Sequence, residues 1–252
     1  MPEFHSNQFY DRIARRYGWF FSSREGAADN LRAELLPILE KYGVKNVLDC
    51  SCGDGMQAVM LAGAGYAVDA GDISEEMLAR AAEYAAEQGV KIDFRQSDFR
   101  HLEKAFPGKY DCALSWGNSI PHLMTADDIM LTLTGMRARL NPGGVAVIET
   151  RDYDKMLNER PKFQPMRIND VRDGYRYSIV YNYEYFPDKV TFNIIYLTEN
   201  LESGEKGMEV ESVDYNPIKR ADFIGYLSQA GYSEVDSEAL RRNGRNVYIA
   251  KK

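Results

Sequence analysis

The spacing of apolar positions predicts strands alternating with helices over the first 150 residues. Leu31, Leu35, Leu36, Ile38 and Leu39 share a face within Asp29–Tyr42, and Gly43 stops that helix. KNVLDC, residues 45–50, reads as a short buried strand, and Gly53 and Gly55 open a helix carrying Met56, Val59, Met60 and Leu61. Residues 66–70 form a second strand. Ser74 then caps a helix with Met77 and Leu78 on its apolar side, Glu75 and Glu76 favouring its positive end. Residues 91–95 and 110–115 supply a third and a fourth strand. A helix over 127–140 ends at Asn141-Pro142-Gly143-Gly144, and 145–150 is a fifth strand. This alternation predicts a Rossmann-like, doubly wound α/β sheet.

Beyond residue 151 the period changes. Residues 175–185 and 190–198 alternate aromatic and β-branched side chains around Pro187-Asp188, and 208–215 can add a third strand. They read as an antiparallel β insertion after strand five. A helix over 218–230 and strands at 232–238 and 246–250 close a seven-stranded sheet, the last two as an antiparallel edge pair. One domain over 1–252 is expected: a helical lid (1–44), a cofactor-binding core (45–151), the insertion (152–216) and the closing elements (217–252).

Composition narrows the partners. Acidic residues outnumber basic ones 38 to 31, a net charge of −7, which disfavours a phosphate backbone as partner. The N-terminus lacks the apolar stretch of a signal peptide, and no apolar run approaches the ~20 residues needed to cross a bilayer. The expectation is a cytoplasmic protein with a small-molecule substrate, no nucleic acid, no membrane and no metal, with a homo-oligomer left open. Cys50, Cys52 and Cys112 read as reduced, small apolar fillers, since one intervening residue is too tight for a zinc pair.

Candidate chemistry lies at the strand ends. Val47–Gly55 joins the first strand to its helix, where Gly53 and Gly55 let backbone approach a ligand. Ala58 stands where a dinucleotide fingerprint has its third glycine, so the glycines alone do not select a ligand. Asp72, near the carboxyl end of the second strand, can accept from both hydroxyls of a ribose. Ile73 can cover one face of a purine. Asp98 can accept from an adenine amine or cap the next helix, and Phe99 can stack on the ring.

VLDCSCGDG, AGDISEEML, QSDF and LNPGG resemble the motifs of class I S-adenosylmethionine-dependent methyltransferases, most strongly over residues 45–154. The resemblance implies that Asp49, Ser51 and Gly53 meet the methionine part of S-adenosylmethionine. Asp72 would hold the ribose, Ile73 and Phe99 would sandwich adenine, and Asp98 would reach its amine. Tyr17, Arg24, Met77, Ser97, Ser115, Trp116 and Gly117 complete the expected cofactor set.

Gly117-Asn118-Ser119 with His122, followed by Arg151-Asp152-Tyr153-Asp154, is similar to the glycine and glycine/sarcosine N-methyltransferases. That similarity implies amino-acid binding by Asn118 and Arg151. A guanidinium fork matches a carboxylate, although Arg151 can instead pair with Glu149, Asp152 or Asp154. Asp152 replaces a neutral amide of that family, and an extra carboxylate there would either disfavour an anionic substrate or recruit a cationic one. His122 reads as a proton acceptor or a packing residue, and with Asn118 forms the expected catalytic pair. Tyr10, Trp19, Tyr181 and Tyr183 complete the substrate set. Tyr10, Tyr17, Trp19, Phe20 and Arg24 form either a lid or a packing helix. Asn/Asp-Pro-Pro-aromatic runs, typical of base-amine methyltransferases, are absent. The expected reaction is methyl transfer to a small molecule, at the nitrogen of an amino acid or amine. O- or C-methylation and non-catalytic binding of an adenosine ligand are the alternatives.

Overall fold

The computed structural model describes residues 6–237 and 244–252. Its central sheet holds seven strands: β1 (Asn46–Asp49), β2 (Ala67–Asp72), β3 (Asp93–Gln96), β4 (Tyr110–Ser115), β5 (Leu140–Arg151), β10 (Glu234–Asp236) and β11 (Arg245–Lys251). Their order is β10-β11-β5-β4-β1-β2-β3. Strands β1 to β5 run parallel, and β11 lies antiparallel between β5 and β10. The helices are α1 (Ser6–Ile13), α2 (Arg24–Lys41), α3 (Met56–Gly63), α4 (Glu75–Glu87), α5 (Leu102–Ala105), α6 (Ala126–Arg139), α7 (Tyr153–Glu159) and α8 (Arg220–Gln229). A tight 3-10 segment, Ala14–Phe20, links α1 to α2.

Both faces of the sheet are covered, as a parallel sheet requires. On one face Leu48, Ala113, Ala146, Ile148 and Tyr248 pack with α6 and α8 through Leu133, Met136, Phe223 and Leu227. On the other, Val47, Leu114, Val147 and Val247 meet α2 and α3 through Leu31, Leu35, Leu39 and Leu61. Cys50, Cys52 and Cys112 are free and buried in these layers. Among the described residues no helix is long and apolar enough to cross a membrane.

The insertion is a four-stranded antiparallel sheet, β6 (Phe163–Arg172), β7 (Tyr175–Tyr185), β8 (Val190–Asn200) and β9 (Lys206–Tyr215), in sequential order. Its inner face, Tyr177, Ile179, Tyr181, Tyr183, Phe192, Ile194 and Tyr196, packs on Phe9, Ile13 and Trp19 of the N-terminal segment. The sequence pattern predicted three strands. The missed one, β6, is an edge strand with two register irregularities, largely exposed on both faces, so period-2 patterning is lost.

Three boundaries differ from the expected spans. Helix α2 begins five residues before Asp29 because the Ser23 side chain accepts from Gly26 N–H and caps a polar first turn. Strand β5 begins at Leu140, so Asn141–Gly144 extends the strand instead of only ending a helix. The expected strand over 232–238 shortens to Glu234–Asp236, and Glu238 falls outside the described residues.

Candidate active site

A cavity of about 510 Å³ opens at the carboxyl ends of β1, β2, β4 and β5. Strand β1 lies between β2 and β4. The connection after β1 runs to β2 and the one after β4 runs the other way to β5, so the loops diverge between β1 and β4 and leave a crevice. Phe9, Tyr10, Ile13, Tyr17 and Phe20 of the N-terminal segment and Tyr181, Ile194 and Tyr215 of the second sheet form the opposite wall. The N-terminal segment both borders the cavity and packs: Tyr10 and Tyr17 line it while Phe9 and Ile13 sit in the apolar cluster.

One half of the cavity is built from the loops after β1, β2 and β3. Gly53 and Gly117 adopt positive φ (53° and 82°), and a Cβ on either would meet nothing within 4 Å, so open space lies where side chains would stand. Asp72 ends β2 with both carboxylate oxygens fixed: Gly53 N–H donates to Oδ2 (2.8 Å) and Ser74 N–H to Oδ1 (3.0 Å). Burial raises its pKa, and these backbone bonds act against that rise. Each oxygen keeps a lone pair for a hydroxyl donor. Ile73, Ser97 and Phe99 border the same end, and the buried Ser97 hydroxyl has no protein partner. Behind this wall Asp49 is completely buried. Its Oδ1 accepts from Ser51 N–H at 3.4 Å, and its Oδ2 has no partner. Burial pushes its carboxyl up to about 7.

The other half lies over β4 and β5. Arg151, the last residue of β5, turns its guanidinium toward the rings of Phe192 (5.1 Å) and Tyr181 (5.5 Å). Among the described residues no carboxylate lies within ion-pair distance of it. The three carboxylates that competed for it in the sequence are engaged elsewhere. Glu149 pairs with Arg245 at 3.2 Å, Asp152 caps α7 by accepting from Lys155 N–H, and Asp154 accepts from Arg220 N–H. Asp152 does not border the cavity, so it adds no charge to the wall. His122 Nε2 lies 2.9 Å from the Tyr10 hydroxyl, and its ring packs on Tyr215 at 4.5 Å. Burial lowers its pKa to about 3, so the imidazole is neutral at physiological pH.

Of the residues singled out in the sequence, Tyr10, Tyr17, Ser51, Gly53, Asp72, Ile73, Ser97, Phe99, Trp116, Gly117, Asn118, His122, Arg151 and Tyr181 border one cavity. Seven others do not: five are held by nearer partners, and Met77 and Asp49 are buried away from it. Arg24 pairs with Asp54 and lies over Tyr84. Met77 is core. The Ser115 hydroxyl is 3.1 Å from that of Ser51. Trp19 donates to Asp173 and stacks on Tyr177 at 4.5 Å, and Tyr183 donates to Gln164. Asp49 lies behind the wall. Asp98 caps the following turn at Arg100 N–H and also pairs with that guanidinium. Burial raises its pKa, but the bonds from Arg100 outweigh this and hold the carboxyl below its ordinary value. Of the two sequence readings of Asp98, the cap is the one the geometry shows.

Several wall residues escaped the sequence reading, among them Glu34, Asp54, Gln57, Glu149 and Tyr215. Two carried a legible signal. Tyr215 occupies the last inward position of β9, and Glu149 stands two residues before Arg151 on the same face of β5.

Residues 47–144 match the family described as Methyltransferase domain. The glycine/sarcosine N-methyltransferase of Halorhodospira halochloris is 38% identical over 120 residues, covering 48% of this chain and 45% of that protein. That of Aphanothece halophytica is 29% identical over 172 residues, covering 63% of this chain and 62% of that protein. The chain thus spans about half the length of the curated relatives it matches. Two solved structures share the fold over nearly the whole chain. An S-adenosylmethionine-dependent methyltransferase from Clostridium acetobutylicum has a TM-score of 0.72 at 19% identity, covering 97% of this chain and 96% of that one. A sugar N-methyltransferase from Streptoalloteichus has a TM-score of 0.71 at 17% identity, covering 96% and 92%. Residues 47–144 are thus similar in sequence to methyltransferase domains, and nearly all of the chain shares the fold of solved methyltransferases.

Proposed function

We propose that this protein transfers a methyl group from S-adenosylmethionine to the nitrogen of a small carboxylate-bearing amine, an amino acid in the first instance. The observation that carries the substrate half is Arg151, a cavity-facing guanidinium with no carboxylate partner among the described residues. A cation placed so is matched by an anionic ligand. The named relatives that are glycine/sarcosine N-methyltransferases support the same class.

The cofactor half rests on fit. The Asp72 carboxylate, already oriented by two backbone donors, suits the two hydroxyls of a ribose. Ile73 and Phe99 suit a purine, and the unpartnered Ser97 hydroxyl supplies a polar contact at that end. The open space beside Gly53 and Gly117 accepts a methionine tail against backbone. When bound, the sulfonium supplies an activated methyl group. The protein's work is then alignment and exclusion of water by the aromatic wall of Tyr10, Tyr17, Phe20 and Tyr215. His122, neutral and hydrogen-bonded to Tyr10, orients that wall. With its pKa near 3 it is a weak proton acceptor, so the amine enters as its neutral form or loses its proton to solvent.

Calorimetric titration with S-adenosylhomocysteine, followed by product detection on a panel of amino acids, simple amines and phenols, tests the reading. Binding and methylation of an amino acid are expected. For the turned-over amino acid, Arg151→Ala should raise KM by about 10–100-fold, the loss of a charged hydrogen-bonded pair, and change cofactor affinity less than twofold. Equal effects on both constants would remove Arg151 from the substrate site. Turnover of phenols alone would move the reaction to oxygen.

A further inference from the structure

Asn118 is the residue that a direct-ligand reading would set against the substrate, and it does border the cavity. Its amide, however, is already engaged within the protein through both its oxygen and its nitrogen. Arg151 N–H donates to Oδ1 at 2.8 Å, and Nδ2 donates to the Tyr153 hydroxyl at 3.0 Å. The Tyr153 hydroxyl also lies 3.3 Å from Oδ1. An amide offers two hydrogens and one oxygen. Here the oxygen holds the backbone of Arg151 and the nitrogen donates to the Tyr153 hydroxyl. Tyr153 is completely buried and does not border the cavity. Asn118 also stands at φ 70°, a left-handed conformation that few residues other than glycine and asparagine adopt. Following Gly117, that backbone turn swings the amide back onto β5.

We propose that Asn118 is a positioning residue and not a substrate ligand: with Tyr153 it clamps the end of β5 so that the Arg151 guanidinium meets a carboxylate in one fixed place. The clamp joins the loop after β4 to the last residue of β5 and the first residue of α7. Residues far apart in sequence thereby share one hydrogen-bonded node. Tyr153 acts at a distance, through Asn118 and the Arg151 backbone. The proposal rests on Arg151 as the anion-holding group.

Tyr153→Phe, Asn118→Gly and the double variant test it, with sodium acetate as the carboxylate probe and Arg151→Ala as reference. Glycine suits the left-handed backbone, so Asn118→Gly removes the amide without adding strain, and Tyr153→Phe removes only a hydroxyl. Affinity for S-adenosylhomocysteine and the thermal midpoint are measured alongside. Expected are about 5–10-fold weaker acetate binding in each single variant, on the scale of one lost hydrogen bond to a binding node, and little further loss in the double variant. Cofactor-product affinity should stay within twofold. Weak acetate binding in Asn118→Gly beside unchanged binding in Tyr153→Phe would overturn the proposal in favour of direct contact. Additive losses in the double variant would also overturn it, as would acetate binding insensitive to Arg151→Ala. Failure of the wild-type protein to bind S-adenosylhomocysteine would strike the cofactor reading alone, since the acetate comparison stands without it.

Discussion

Replacing Asp49 by Asn should stabilise the cofactor-free protein in a pH-dependent way. The Asp49 carboxylate is completely buried, one oxygen has no partner, and its pKa stands at about 7 against an ordinary 3.8. Between those values the folded protein holds a proton that the unfolded chain has released. Stability therefore falls as pH rises from about 4 to about 7, and levels off above. The full cost of the buried charge is about 4 kcal/mol, from 1.36 kcal/mol per unit of pKa. About 2–3 kcal/mol of it develops between pH 5 and pH 8. Asn keeps the oxygen that accepts from Ser51 N–H and never ionises, so it lacks this slope. Urea unfolding followed by circular dichroism at pH 5, 6, 7 and 8 should show the variant pulling ahead of the wild type by that amount. In thermal scans the same gap is about 5–10 °C, at ~2–4 °C per kcal/mol for a chain of this size. A gap that stays constant from pH 5 to pH 8 would refute the argument. A variant less stable than wild type at pH 8 would refute it too, by showing that a buried polar partner of Asp49 was lost.

Two further outcomes follow from the site. Asp72→Asn should weaken S-adenosylhomocysteine binding by about 10–100-fold, because hydroxyl bonds to a carboxylate become bonds to a neutral amide, and an unchanged calorimetric affinity would take the ribose away from Asp72. His122 should remain neutral at pH 5, with its folded pKa near 3. The stabilising contribution of the neutral ring is then present above about 6.5 and lost as pH falls toward 3. Long-range nitrogen NMR reads the ring directly, and an imidazolium signature at pH 6 would show that the ring is solvated.

Sequence alone determined the layered α/β core and the strand ends on which the chemistry sits. Apolar residues at periods of 2 and 3.6 must be buried wherever the segments go, so β1, β2, β4 and helices α3 and α4 were legible locally. Gly53, Asp72 and Phe99 follow successive strands of that core, and in a parallel sheet the ends of such strands converge on one crevice. Partner choice was not legible. Asp98, Arg24 and Ser115 lie in or beside the expected motifs, yet each is taken by a competing group: Arg100, Asp54 and Ser51. Trp19 goes to Asp173, 154 positions away in the chain. Arg151 had three acidic candidates nearby in sequence and pairs with none, because Arg245, the turn of α7 and Arg220 N–H claim them. Side chains pair by distance and angle in the folded chain, and a hydrogen bond spent on one partner is unavailable to another. That exclusion, which only the tertiary structure sets, leaves Arg151 without a carboxylate partner among the described residues and holds the Asn118 amide on the Arg151 backbone and Tyr153.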